Sequence, residues 1–245
     1  MSSIWKIISS TAKVEPPRFG ADARPLAVVR APRARRLRLA VDPRSGEVRL
    51  TIPQRAKLAE ALAWAEQHRG WIEAQLARLP QARPILPGAS VPFGDAVLLV
   101  DWAADRPRSV RREGDRLILG GPAESVSARV VRWLKREALA TLTEETAFYA
   151  ARAGVSISSV AVGDPRSRWG SCASNGAIRY SWRLILAPSH VRRATVAHEV
   201  AHRVHMDHSP AFHRLVAQLF GESPAPARNW LRANGAGLHW IGRQD

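Results

Sequence analysis

The sequence contains almost no cysteine. Cys172 is the only one in 245 residues, so an intrachain disulfide is excluded, and with it the small folds that disulfides hold together. A single cysteine is typical of a protein from a reducing compartment. In a packed segment it is more often structural than a nucleophile or a metal ligand. We therefore expect a cytoplasmic protein in which Cys172 is structural.

Long hydrophobic runs are also absent. No stretch approaches the roughly 18 consecutive apolar residues of a membrane-spanning helix. Residues 1–19 have only a short apolar patch with no basic segment before it, so they do not predict a secretory signal. Hydrophobic residues make up 46% of the chain. The composition therefore predicts a folded protein with a full core and without a membrane partner.

Acidic residues are scarce. Asp and Glu number 21 against 37 Lys and Arg, which gives a net charge of +16, and residues 1–60 hold thirteen basic and five acidic residues. Five arginines within nine positions form what we call the arginine cluster: Arg30, Arg33, Arg35, Arg36 and Arg38. Guanidinium groups bind phosphates well, so the cluster favours contact with nucleic acid. The alternative is a solvated basic face without a partner.

Histidine, in contrast, is concentrated in one region. Six of the eight histidines lie between residues 190 and 213, and the segment HEVAH begins at His198 and ends at His202. Residues four apart share one face of an α-helix, so both imidazoles could bind one Zn²⁺. Glu199 is offset by about 100 degrees, within reach of a water that the metal activates. We predict one zinc ion with Glu199 as the general base.

A hydrolytic zinc site needs a third protein ligand and one open position. The candidates are His205, Asp207, His208, His213 and Glu222. His208 can face the motif helix only if the chain turns first. Ser209 followed by Pro210 predicts that turn, because this pair is typical of the start of a new helix. We predict His208 as the ligand and keep Glu222 as the alternative, since some zinc proteases take a downstream Glu.

The run from Asp164 to Val216 resembles the YgjP-like metallopeptidase family, a zincin group similar to the SprT-like and WLM proteases. The first part of the family signature is RWGSC, then a Gly and WRLILAP. In this chain RWGSC occupies residues 168–172, the Gly is Gly176, and WRLILAP occupies residues 182–188. The second part is the HExxH helix followed by HSP and a Phe, here at 198–202, 208–210 and Phe212. One departure is His213, where the family usually has Trp.

The resemblance implies a zinc-dependent peptidase. Its ligands would be His198, His202 and His208, and Glu199 would be the catalytic acid and base. In such folds an extended substrate pairs with the edge of a sheet beside the active-site helix. The edge candidates are the RWGSC segment and a strand predicted over Ala177 to Leu186.

The remaining patterns predict an α+β fold in two regions. Residues 1–121 would be a smaller accessory region with a hairpin over 35–53, a helix from Leu58 to Pro80 and short strands over 91–102 and 109–119. Residues 122–245 would be a zincin-like catalytic domain. It would contain a long helix over 125–154, a strand over 155–162, a small sheet, the HExxH helix capped by Ser189 and a second helix.

Two function classes fit these patterns. The first is a zinc metallopeptidase that acts on a protein or peptide. The second is a nucleic-acid-associated zinc protein, including one that acts on DNA-bound proteins, or a hydrolase of a non-peptide amide. Glu199 favours a catalytic site, because a purely structural zinc has no use for a carboxylate beside an open coordination position.

Overall fold

The computed structural model describes residues 17–243, which form six α-helices and three small sheets. The fold is therefore α+β, as the sequence predicts. The chain divides into two compact units between Leu79 and Pro80. Residues 1–19, which do not predict a secretory signal, lie mostly outside the described residues. Among the described helices, none is both long enough and apolar enough to span a bilayer.

The first unit is a mixed sheet with two helices. Its strands are β1 (Arg18–Phe19), β2 (Arg24–Ala31), β3 (Arg38–Val41) and β4 (Val48–Pro53), in the order β1-β2-β4-β3. The predicted hairpin is present as β3 and β4, which pair antiparallel with Leu39 opposite Leu50. The core consists of small and aliphatic side chains together with Phe19: Phe19, Leu26, Val48, Leu50, Ile52, Ala61, Leu62, Ala65 and Ile72.

The helix predicted from Leu58 to Pro80 is wrong in one respect. The structure has two helices, α1 (Leu58–Gln67) and α2 (Arg69–Leu76), which are separated at His68. The backbone of His68 leaves the helical region with φ −97° and ψ 15°. Gly70 is the second residue of α2, and a glycine in a helix lowers its stability by about 1 kcal/mol relative to alanine.

The second unit begins with a four-stranded sheet. It contains β5 (Ser90–Phe93), β6 (Ala96–Trp102), β7 (Arg111–Glu113) and β8 (Arg116–Leu119), in the order β5-β6-β8-β7. Each of the two strands predicted here is divided into a pair by a tight turn. Gly94 and Gly114 stand in these turns with φ of 59° and 62°, a conformation that favours glycine.

The boundary predicted at residue 121 falls inside the second unit. Leu98 and Leu117, from the sheet before this position, belong to the same buried core as Val126 and Val130, from the helix after it. A division at 121 would cut this core. The residues before and after it therefore form one compact unit in the structure.

The long helix α3 (Val126–Ala153) ends at Gly154, whose left-handed backbone caps it. It is followed by β9 (Ser159–Gly163), β10 (Gly170–Cys172) and β11 (Ala177–Ser181) in the order β10-β11-β9. The strand predicted over 155–162 is thus shorter and begins later. Of the two predicted edge segments, β10 lies at an edge, whereas β11 is central.

The strand predicted over 177–186 is wrong in its second half. Residues Trp182–Leu186 form a 3-10 helix. Trp182, Leu184, Ile185 and Leu186 are all buried, whereas a strand with one solvent-facing side would alternate buried and exposed residues. Ser181 begins the turn by accepting a hydrogen bond from the backbone N–H of Arg183.

The last three helices are α4 (Ser189–Ala201), α5 (Pro210–Phe220) and α6 (Ala225–Leu238). Ser189 is the first residue of α4 and not its cap, because Pro188 holds the capping position. Arg192 on α4 is only 8% exposed and forms an ion pair of 2.8 Å with Glu145 on α3. Removing one partner of such a buried pair costs about 3–5 kcal/mol, so this pair helps to fix α4 against α3.

Candidate metal centre

The predicted turn between the motif helix and the next helix is present. Helix α4 ends at Ala201, and His202 is its C-cap. Ser209 then caps α5 by accepting a hydrogen bond from the backbone N–H of Phe212, and Pro210 is the first residue of α5. The turn between the helices carries His208 back towards α4.

Three histidines meet at this corner. The Nε2 atoms of His208 and His198 are 3.3 Å apart. One nitrogen from each of His198, His202 and His208 lies within 4.8 Å of the others. The 3.3 Å separation is that of two imidazole nitrogens held tetrahedrally at about 2.0–2.1 Å from one zinc ion. A small rotation of the side chains would bring the third nitrogen into the same sphere.

Second contacts orient two of the rings. The Nδ1 atom of His202 lies 3.0 Å from the carbonyl oxygen of His205. A carbonyl only accepts, so Nδ1 carries the proton and Nε2 has the lone pair that a metal needs. The Phe212 ring stacks on His202 at 4.5 Å between centroids and meets His198 edge-on at 4.9 Å. Residues of the turn and of α5 thus hold the ligand face in place.

The surroundings of His198 and His202 lower their pKa values, so these imidazoles stay neutral and can bind a metal ion. Burial, together with the nearby His202 and His208, lowers the pKa of His198 to about 4. Burial also lowers the pKa of His202, although its bond to the His205 carbonyl acts in the opposite direction. Neutral imidazoles are the form that ligates metals. The chemistry of this donor set therefore fits a divalent transition metal.

The other predicted candidates lie elsewhere among the described residues. His205 takes part only through its backbone carbonyl, which accepts the hydrogen bond from His202 Nδ1. Asp207 accepts a hydrogen bond from the Ser209 N–H within the turn. His213 is exposed, with its ring centroid 6.2 Å from that of His208. Glu222 and His190 are exposed and belong to no metal-binding group in residues 17–243.

Glu199 is buried beside this corner, at the edge of β10. Its side chain is 5% exposed, and burial raises its pKa to about 7, while the positive charge of Arg168 acts in the opposite direction. Within residues 17–243 no group hydrogen-bonds to its carboxylate. The carboxylate is therefore available to a water molecule or a substrate.

Gly170 gives Glu199 its room. A Cβ atom on Gly170 would clash with Glu199 Oε1 and would lie 2.5 Å from Glu199 Cγ. Gly170 has no positive φ, so the close approach, and not the backbone conformation, requires glycine here. The Gly170 backbone thus limits where the Glu199 carboxylate can lie.

A cavity of about 280 Å³ opens beside Glu199 and His198. It lies among β10 and helices α4, α5 and α6. Most of its wall is apolar, and two arginines, Arg168 and Arg228, also line it. We refer to it as the arginine cavity. A substrate could enter it beside the metal centre.

The members of the arginine cluster differ in their contacts. Arg30 donates hydrogen bonds to the backbone carbonyls of Gln54 and Ala56 at 2.8 and 2.9 Å. It is therefore engaged within the first unit. The other members are exposed, without an ion pair to any residue in 17–243: Arg33, Arg35, Arg36 and Arg38.

Cys172 ends β10 and is half-buried. Burial raises the pKa of its thiol, which opposes the thiolate form that a nucleophile needs. This agrees with the structural role predicted for it.

Sequence reasoning missed three residues of this region. Gly170 lies inside the RWGSC motif, but its contact with Glu199 depends on the packing of β10 against α4. Arg168 and Arg228 are far apart in the chain, so their positions in the sequence do not show that they line one cavity. Helix α6, which carries Arg228, is also absent from the sequence-based prediction. The helical spacing of Trp230, Leu231 and Leu238 is a usable signal for that helix.

Comparison with known families agrees with the geometry. The model of the YgjP-like metallopeptidase domain matches residues 35–234, which is most of the chain. No curated protein and no solved structure matches the chain. The chain belongs to the YgjP-like family, and its α+β fold is consistent with a zincin-like domain. Membership supports a metal-dependent peptidase.

Proposed function

We propose that the protein is a zinc-dependent peptidase in which His198, His202 and His208 hold the metal and Glu199 is the general base. The observation that carries this proposal is the meeting of three imidazoles beside a buried carboxylate that faces a cavity. All three donors are imidazole nitrogens, which suit zinc among the common metals.

The ligand count supports a catalytic site. Structural zinc sites have four protein ligands, whereas catalytic sites have three and keep one position open. Among the described residues, no fourth His, Cys, Asp or Glu joins the three histidines. When bound, the metal would polarise the scissile carbonyl and lower the pKa of water.

The residues of the chain would then carry the proton. Glu199 accepts a proton from the attacking water at its carboxylate and passes it to the leaving amine. The backbone of Gly170 holds that carboxylate in position. Among the described strands, β10 pairs only with β11, so an extended peptide can pair with its other edge.

The proposal is tested by incubating the zinc-loaded protein with a panel of folded and unfolded proteins, with and without DNA. New N-termini should appear with zinc and should be absent after treatment with a chelator. Failure to cut any member of the panel would contradict a peptidase. Cleavage that needs DNA would indicate that the substrate is bound to it.

The identity of the third ligand gives one prediction. His208→Ala should weaken zinc binding severely, because only two imidazoles remain at the corner. Glu222→Ala should leave zinc binding close to that of the wild type. Isothermal titration with zinc measures both variants, and a larger loss in Glu222→Ala would reverse the assignment.

The contact between Gly170 and Glu199 gives a second prediction. Gly170→Ala should displace the Glu199 carboxylate and lower kcat on the order of 100-fold, the effect expected for a displacement of about 1 Å. Zinc content should not change, because the histidines are untouched. Ser171→Ala is the matched control, since successive side chains of a strand point to opposite faces. Equal kcat in the two variants would refute this role of Gly170.

We also propose that the exposed part of the arginine cluster binds a polyanion such as DNA. Its support is the four exposed arginines close together in the sequence, none of which pairs with a carboxylate in residues 17–243. Replacing Arg33, Arg35 and Arg36 with Ala should flatten the dependence of log affinity on log salt, by about 0.9 for each phosphate of duplex DNA that the variant no longer binds. Fluorescence anisotropy at several salt concentrations measures this slope.

Duplex and single-stranded DNA should be compared, since stacking aromatics favour the latter. A control with the same change of charge replaces three scattered, exposed arginines of the second unit: Arg132, Arg193 and Arg214. Should the cluster variant and the control give the same slope, the cluster is only a solvated basic face.

A further inference from the structure

The arginine cavity has two positive charges on its wall that the proposed mechanism does not use. Arg168 comes from the loop between β9 and β10, and Arg228 comes from α6. Neither has an ion pair within 4.0 Å or a hydrogen bond to any residue in 17–243, although the charge of Arg168 acts on the Glu199 carboxylate from a greater distance. Two other arginines of this unit are engaged in ion pairs: Arg183 pairs with Asp164 at 2.7 Å, and Arg192 pairs with Glu145.

The rest of the wall favours an anionic guest. Among the described residues that line the cavity, Glu199 is the only acidic one. Ala194, Val216 and Leu231 contribute apolar surface. Both arginines are exposed to solvent, and their guanidinium groups line the same cavity, so one anion can bind both of them.

We propose that the arginine cavity binds a carboxylate group of the substrate, so that the protein cleaves peptides beside an acidic group. This inference rests on the proposed peptidase function, because a peptide is what brings the carboxylate to the site. The cavity adjoins His198 and Glu199, so a group bound in it lies next to the bond to be cut. Guanidinium groups bind carboxylates through paired hydrogen bonds.

A peptide offers a carboxylate from two sources. The side chain of Asp or Glu would make the protein an endopeptidase selective for acidic residues. The α-carboxylate at the C-terminus would make it a carboxypeptidase. Both present the same group to Arg168 and Arg228, so the substrates must distinguish them.

Binding to zinc-loaded Glu199→Gln protein measures this selectivity without turnover. Three fluorescein-labelled peptides of the same sequence are compared by anisotropy. One has a central Glu and a C-terminal amide, one has a central Gln and the amide, and one has the Gln and a free C-terminal carboxylate. One of the two carboxylate peptides should bind roughly tenfold more tightly than the neutral peptide, as charge-assisted hydrogen bonds predict. Equal affinities for all three peptides would overturn the inference.

Variants then locate the selectivity. Arg168→Gln and Arg228→Gln should each reduce the ratio of affinities towards one, and Arg228→Glu should reverse it, so that the neutral peptide binds more tightly than the carboxylate peptide. Arg166→Gln and Arg232→Gln remove the same charge from exposed neighbours that do not line the cavity, and they should keep the wild-type ratio. Equal ratios in the cavity variants and the controls would also overturn the inference.

Cleavage of the same peptides by the wild-type protein separates this inference from the proposed function. Carboxylate-selective binding without any cleavage would contradict the peptidase but support the cavity assignment. Cleavage without a preference for the carboxylate peptides would contradict the cavity assignment alone.

Discussion

Glu199→Gln should reduce the rate of peptide hydrolysis by about 10²–10⁴-fold, the range expected when a general base is removed. An amide has nearly the shape of the carboxylate, so the variant fits the same space beside Gly170. It cannot accept a proton from the attacking water. Steady-state cleavage of a fluorogenic peptide measures the reduction.

Zinc content separates this effect from a loss of the metal. Glu199 is not one of the three clustered residues, so Glu199→Gln should still hold about one zinc per chain. Glu144→Gln, at an exposed position of α3, is a matched control that should keep full activity. Wild-type turnover in Glu199→Gln would rule out Glu199 as the base.

His198→Ala and His202→Ala should each empty the site. Losing one ligand of three leaves two, and the zinc content measured after dialysis should fall from about one per chain to near zero. Hydrolysis should disappear with the metal. Mass spectrometry under native conditions or atomic absorption measures the content.

His205→Ala is the control for these variants. His205 contacts His202 through its backbone carbonyl, which the substitution keeps. This variant should therefore retain zinc. Retention of zinc by His198→Ala or His202→Ala would show that the ion binds elsewhere.

The metal corner could be predicted from the sequence because its signals are local. The spacing of His198 and His202 depends only on the helix that carries them. The position of His208 depends on a turn, and Ser209 and Pro210, the next two residues, predict that turn. The hairpin in residues 35–53 is predictable for the same reason, since alternation and a short turn fix its register.

The surroundings of the corner could not be predicted in this way. Burial along Trp182–Leu186 overrides the strand propensity of these residues, and this burial depends on the assembled core. The contact of Gly170 with Glu199 needs the register of β10 against β11 and the packing of that sheet on α4. Arg168 and Arg228 meet at one cavity only through α6, which comes from a distant part of the chain.

Titration of zinc into metal-free protein, with peptide cleavage measured at each step, is the most direct test of zinc-dependent hydrolysis at His198, His202 and His208. Activity should rise in proportion to zinc and reach its plateau at about one equivalent, because the corner offers three ligands for one ion. Full cleavage by the metal-free protein, or zinc binding at one equivalent without any cleavage, would contradict a zinc peptidase.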